Sequence, residues 1–302
     1  MAGERRFSYF SAPPDEARRT VCERRLLDRY GFLGSGSIGR SLLGRRLGFL
    51  RIGSGPHAIL YVGAHHGMEW ITTLLLYRFT EEYCRMLTLR GKDAEGEERS
   101  LYILPMLNPD GVEIQLHGAE AGGPLRGRLM RQNGGSGDFR HWQANARGVD
   151  LNHNYDAGYE AYREKEREAG ITGGCPTRYS GAYAGSEPEV AALCRFLSLL
   201  RPALILTLHT QGEEIFYHPT DPPIAGAQET GARLARLSGY RLGSADGMAA
   251  YGGMSDYAAE RLRLRSYTVE CGRGCNPLPI RQGPEIYMRL RRMLFASAGM
   301  YR

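Results

Sequence analysis

Short apolar runs recur along the chain, and stretches with helical spacing lie between them. HAILYVG (residues 57–63), SLYILPM (100–106), ALILTL (203–208) and RSYTVE (265–270) have the length and β-rich composition of buried strands. Helical spacing predicts a polar-rich helix over residues 14–30 and a longer one from Glu69 to Leu89. A third helix is predicted over residues 186–200, with Ser186 as N-cap and Glu189 closing a Ser-x-x-Glu capping box. A last amphipathic stretch lies near residues 283–298. Strands alternating with helices predict an α/β fold: one mixed, twisted sheet of about eight strands with helices on both faces.

Between the first helix and the first strand, GFLGSGSIGRSLLG reads as a Gly-Ser junction. Residues 1–45 are therefore expected to form a helical extension packed on or near a catalytic domain spanning 46–302. The glycine-rich stretch at 122–139 neither follows a strand nor opens an evident helix. It reads as a mobile loop at the rim of a cleft and not as a phosphate loop.

In open α/β sheets, ligands sit beyond the carboxyl ends of the strands. His66, Asn108, His209 and Glu270 all follow or end a predicted strand, so they are expected along one edge. His66 and Glu69 are three residues apart at a loop-to-helix boundary and can face one metal ion. A catalytic zinc takes three protein ligands and keeps one position open, and two His with one Glu is a known set. Alone, His209 reads as a core histidine; with the upstream pair it becomes the third candidate. Glu270, an acid ending an apolar strand, suits a general base, and its plain alternative is a glutamate emerging into water. Arg147 is a candidate for the positive partner of a developing oxyanion, or a solvated surface charge.

Composition changes this picture little. A 302-residue chain with net charge +6 and no concentrated basic patch gives no reason to expect a nucleic-acid partner. The first residues carry an Arg pair but no apolar h-region, and no run approaches the length of a membrane span. A cytoplasmic location is expected, with the six scattered cysteines reduced. The spacing of Cys271 and Cys275 does not fit a zinc knuckle.

Taken in order, the motifs resemble the carboxypeptidase A-type zinc metallopeptidases from about Ile38 to Glu270 and beyond. They are H-G-M-E-W at 66–70, P-M-L-N-P-D-G at 105–111, G-V-D-L-N-H-N-Y at 148–155, S-E-P-E at 186–189, His209, Y-G-G-M-S-D-Y at 251–257 and Y-T-V-E at 267–270. The resemblance implies one Zn2+ per chain on His66, Glu69 and His209, although cobalt or manganese would suit the same donors. It implies Glu270 as general base and acid, Arg147 at the oxyanion and Asn152 at the substrate carboxylate. His65 is the adjacent alternative ligand, but only His66 has the family spacing.

Three positions depart from the digestive enzymes. His153 follows Asn152 where they carry Arg, and an imidazole cannot fork onto a carboxylate as a guanidinium does. The position of their terminus-capping tyrosine reads Met248, with Tyr251 close by. Their specificity-pocket position reads Ser255. The string NARGVDLNHNYDAG resembles the bacterial branch that cleaves γ-D-glutamyl-diamino-acid bonds. That implies a small acidic muropeptide substrate, L-Ala-γ-D-Glu-meso-diaminopimelate. An α-specific carboxypeptidase, an amino-acid deacylase and a silent peptide-binding module are the competing expectations.

Overall fold

The structure, a computed structural model, describes residues 7–91, 98–243 and 247–300. In chain order the elements are α1 (Glu16–Arg29), β1 (Leu33–Arg40), β2 (Arg46–Ile52), β3 (His57–Gly63), α2 (Ile71–Leu89), β4 (Arg99–Leu104), α3 (Pro109–His117) and α4 (Arg126–Gln132). There follow α5 (Tyr159–Glu168), α6 (Pro188–Leu200), β5 (Leu204–His209), β6 (Glu214–Phe216), α7 (Ala227–Ser238), β7 (Arg241–Gly243), α8 (Met254–Glu260), β8 (Ser266–Glu270) and α9 (Gly283–Ser297).

The strands form one eight-stranded sheet in the order β1-β2-β4-β3-β5-β8-β6-β7. Its centre, β4-β3-β5-β8, is parallel. Antiparallel pairings attach β2 and β1 on one side and β6 on the other. A parallel sheet must be covered on both faces, and the alternation along β3 does this. Ile59 and Tyr61 join the apolar cluster of α1, α2, α7 and α9, while Leu60 and Val62 join that of α6 and α8. Each fully buried aliphatic side chain of this kind contributes about 1.5–3 kcal/mol. Because the four central strands run the same way, their carboxyl ends share one edge, with Gly63, Leu104, His209 and Glu270 as end residues.

Three local expectations are corrected. The Gly-Ser junction is strand β1, so the sheet begins before residue 46. Its glycines hide the strand signal, but Gly36 is required: a Cβ there would lie 2.3 Å from the Phe49 ring, which covers the glycine from β2. The capping box is absent. Glu187, not Ser186, occupies the N-cap of α6, and the Glu189 carboxylate instead accepts from the Leu42 N–H at 2.9 Å. The glycine-rich stretch holds α4, because Leu129 is buried with Ile114, Phe139 and Trp142 in a small cluster. Among the described residues no helix is long and apolar enough to cross a membrane.

Candidate active site

His66 leaves β3 and begins a tight turn, Gly67–Glu69, that leads into α2. The turn packs against the chain: a Cβ at Gly67 would lie 2.4 Å from the Gly111 carbonyl, so only glycine allows this approach. Asn108 supports the same region from behind. Its side chain caps α3 through the Gly111 N–H and donates to the His65 carbonyl at 3.0 Å, buried and outside the cavity. It therefore builds the loop and does not join the site.

His66, Glu69 and His209 converge. His66 Nδ1 lies 3.0 Å from Glu69 Oε1, and His209 Nδ1 lies 3.1 Å from Glu69 Oε2 and 3.3 Å from His66 Nδ1. They form the three-residue donor group found among the described residues. Metal–ligand bonds of about 2.0–2.1 Å at tetrahedral angles would space the donor atoms about 3.3 Å apart, so this trio fits zinc. His65 does not join it: its Nε2 pairs with the Tyr155 hydroxyl at 3.2 Å and its ring stacks beside His209.

Asp150 was legible only as part of a motif, yet it organises this side of the site. Its Oδ1 lies 3.1 Å from His66 Nε2, a contact that would keep the proton on Nε2 and leave Nδ1 to a bound zinc. Its Oδ2 accepts from Gln143 Nε2 at 2.8 Å and from the Arg178 N–H at 3.1 Å. Burial alone would raise both carboxyls, but the charge of His66 holds Asp150 and Glu69 below the usual carboxylate range. Burial alone would likewise lower His66, and the Glu69 and Asp150 charges raise it instead.

A cavity of about 640 Å³ opens over the donor group. Of the residues singled out in the sequence, His66, His209, Asn152, His153, Tyr251, Ser255 and Glu270 line it. Burial, then the Glu69 charge, push the Glu270 carboxyl well above its ordinary pKa. His153 is buried, stacks on Tyr162 at 3.9 Å and donates from Nδ1 to the Tyr251 carbonyl at 3.0 Å. Burial pushes its pKa down, so it stands as a neutral imidazole. Asn152 Oδ1 accepts from the Met254 N–H, and Ser255 Oγ meets Thr268 Oγ1 at 3.0 Å. Met248 falls in a short turn, and its side chain lies outside the described residues.

Arg147 is not brought to the cavity. Its guanidinium pairs at 3.1 Å with the fully buried Glu187 at the head of α6. Asn145 Oδ1 accepts from the Arg147 and Val149 N–H groups and fixes this turn, and its amide donates to the same Glu187 that takes the guanidinium. Arg147→Ala is therefore expected to leave kcat/KM within a few-fold of wild type. It should cost about 1–3 kcal/mol in urea denaturation, the penalty for stripping a partner from a buried acid. A hundredfold loss of kcat at unchanged stability would return Arg147 to the site. Gln143, Thr177, Arg178 and Asn276 line the cavity without having been singled out.

The sheet is that of carboxypeptidase A: the solved structure of the Helicoverpa armigera enzyme matches at TM-score 0.70, covering 96% of this chain and 74% of that one, at 19% identity. Murein-tripeptide amidase MpaA from Escherichia coli O157 shares the fold at TM-score 0.52 and 23% identity, over 89% and 92% of the two chains. The zinc carboxypeptidase model of the M14 peptidases matches residues 29–286, and the chain belongs to that family. It is a zinc metallopeptidase. Two bacterial relatives match most of its length. Gamma-D-glutamyl-L-diamino acid endopeptidase 1 of Lysinibacillus sphaericus is 33% identical over 92% of this chain and 70% of its own. The uncharacterised YqgT of Bacillus subtilis (strain 168) is 34% identical over 87% and 71%.

Proposed function

We propose that this protein hydrolyses the γ-D-glutamyl-meso-diaminopimelate bond of murein peptides, with His66, Glu69 and His209 holding one zinc. The observation that carries the chemistry is the convergence of those three donors beneath the cavity that Glu270 lines. When bound there, zinc supplies a Lewis acid that acidifies water and polarises a carbonyl. Glu270 takes a proton from water at its carboxylate. Water oxygen adds to the γ-carbonyl carbon, the C–N bond breaks, and Glu270 returns the proton to the departing amine. Asn152, His153, Tyr251 and Ser255 are the contacts for the released residue. The neutral His153 argues against an enzyme built around a terminal carboxylate gripped by a guanidinium at that position. The Lysinibacillus relative, named for γ-D-glutamyl-diamino-acid bonds, supports the same substrate.

The test is diaminopimelate release from L-Ala-γ-D-Glu-meso-diaminopimelate by the zinc-loaded protein, beside an α-linked control peptide. Release that a chelator abolishes and zinc restores is expected. Cleavage of the α-linked control alone would keep the zinc chemistry and overturn the substrate, favouring the general carboxypeptidase reading.

A further inference from the structure

Among the residues that line the cavity, Arg178 is the one arginine or lysine. Its guanidinium makes no ion pair or hydrogen bond among the described residues, and its side chain is exposed to the cavity mouth. The backbone beneath it is held from both sides. The N–H donates to Asp150, the same carboxylate that orients His66, and the carbonyl accepts from the Tyr162 hydroxyl at 2.9 Å. Tyr162 is also the ring on which His153 stacks. The residue sits at φ 69°, a left-handed conformation that a non-glycine residue holds only when its surroundings impose it. Next to it, the Thr177 hydroxyl donates to Gln143, whose amide donates to Asp150. The base of Arg178 is thus pinned to the supports of both His66 and His153, while its charged end is left without a protein partner.

A guanidinium in that state has one strong use. It offers a planar fork of donors that matches a carboxylate in two parallel hydrogen bonds. Among the described residues no other guanidinium lines the cavity: Arg147 is turned to Glu187, His153 has one nitrogen committed to Tyr251, and His218 is paired with Asp256 and Glu260, which leaves Asn152 as an uncharged contact beside the fork. We propose that Arg178 is a specificity residue that binds a substrate carboxylate at the mouth of the cavity. This rests on the peptidase reading above. A γ-linked glutamyl residue keeps its α-carboxylate free, three carbons from the carbonyl of the bond to be cut, and diaminopimelate carries two more, so such a substrate presents carboxylates on both sides of that bond.

The experiment measures affinity, so that it does not depend on turnover. Zinc-loaded Glu270→Gln protein, with Arg178 intact or replaced by Ala or Lys, is titrated calorimetrically with L-Ala-γ-D-Glu-meso-diaminopimelate. It is also titrated with two analogues, one with the glutamyl α-carboxylate as carboxamide and one with the distal diaminopimelate carboxylate as carboxamide. With Arg178 present, one carboxamide should bind about tenfold or more weakly than the acid. Arg178→Ala should weaken the acid by a similar factor and bring acid and amide to equal affinity. Arg178→Lys should restore part of the difference, since it keeps the charge without the fork. If Arg178→Ala keeps the full acid-over-amide preference against both analogues, the proposal is overturned. If the tripeptide does not bind at all, the γ-glutamyl substrate falls. The Arg178 assignment is then decided by the same comparison on the α-linked control peptide as free acid and as C-terminal amide.

Discussion

Glu270→Gln is expected to lower kcat by about 10²–10⁴, the range that a positioned general base and acid contributes. Zinc content should stay at the wild-type value, and the thermal midpoint should not fall. The residue ends β8, paired in register with His209 at the end of β5, so one ladder rung carries a metal-donor candidate and the base side by side. Glutamine keeps the shape and removes the proton-transfer site. The carboxylate is also the like charge that faces Glu69, and its loss relieves repulsion without touching the three donors. KM should move little, because the proton moves only as the reaction proceeds. The checks are kcat on the tripeptide, metal analysis and a melting curve on the same sample. If kcat falls less than tenfold while zinc remains bound, the base lies elsewhere. Loss of zinc with the activity would mean that Glu270 serves the metal site and not the proton transfer.

The elements that place this chemistry were largely legible because they follow from periodic structure. The runs at 57–63 and 203–208 are buried on both faces, so their apolar composition is nearly unbroken and their ends are clear, while 265–270 is marked by its β-prone Tyr267, Thr268 and Val269. Parallel strands then bring those ends to one edge, which is why His66, His209 and Glu270 meet despite their separation in sequence. Irregular backbone offers no such rule. The long connection between α4 and α6 is ordered by Asp150, Asn145 and Asn154 through side-chain bonds to backbone groups, and these have no period. The resemblance pointed to Arg147 and nothing in the sequence marked Arg178; the contacts of Glu187 and Asp150 place the second at the cavity and not the first. Asp150 lies between the apolar Val149 and Leu151, an alternation that reads equally as a solvated acid, so its burial and its partners become visible only in the structure. Strand β1 was hidden because its alternation is of glycine and serine, and β6 and β7 because each is three residues long.

The carboxyl of Glu189 carries the second large effect, on stability against pH. It is fully buried at the first turn of α6, and burial pushes its pKa from 4.5 up to about 7. The nearby Asp110 and Glu187 charges push the same way, while the Leu42 N–H opposes them. Between these two values the folded chain holds a proton that the unfolded chain has released. Raising the pH through that window therefore favours unfolding, and by pH 8 the cost is on the order of 3 kcal/mol. Glu189→Gln keeps the acceptor that Leu42 needs and cannot ionise. Urea denaturation should find the variant close to wild type at pH 4.5. At pH 8 it should be more stable by about 2–3 kcal/mol, with the gain growing between pH 4.5 and about 7 and levelling off above. A constant difference across that range would mean that Glu189 is ionised in the fold, its charge met by Asn145 and the Leu42 N–H. Natural retention of an acid that weakens the fold at neutral pH then has a physical reading. The same carboxyl ties the turn between β1 and β2 to the head of α6, where Glu187 holds Arg147 and Asn154 accepts from the Glu187 N–H. The link that costs stability also anchors the irregular connection that carries Asp150 and Arg178 to the cavity.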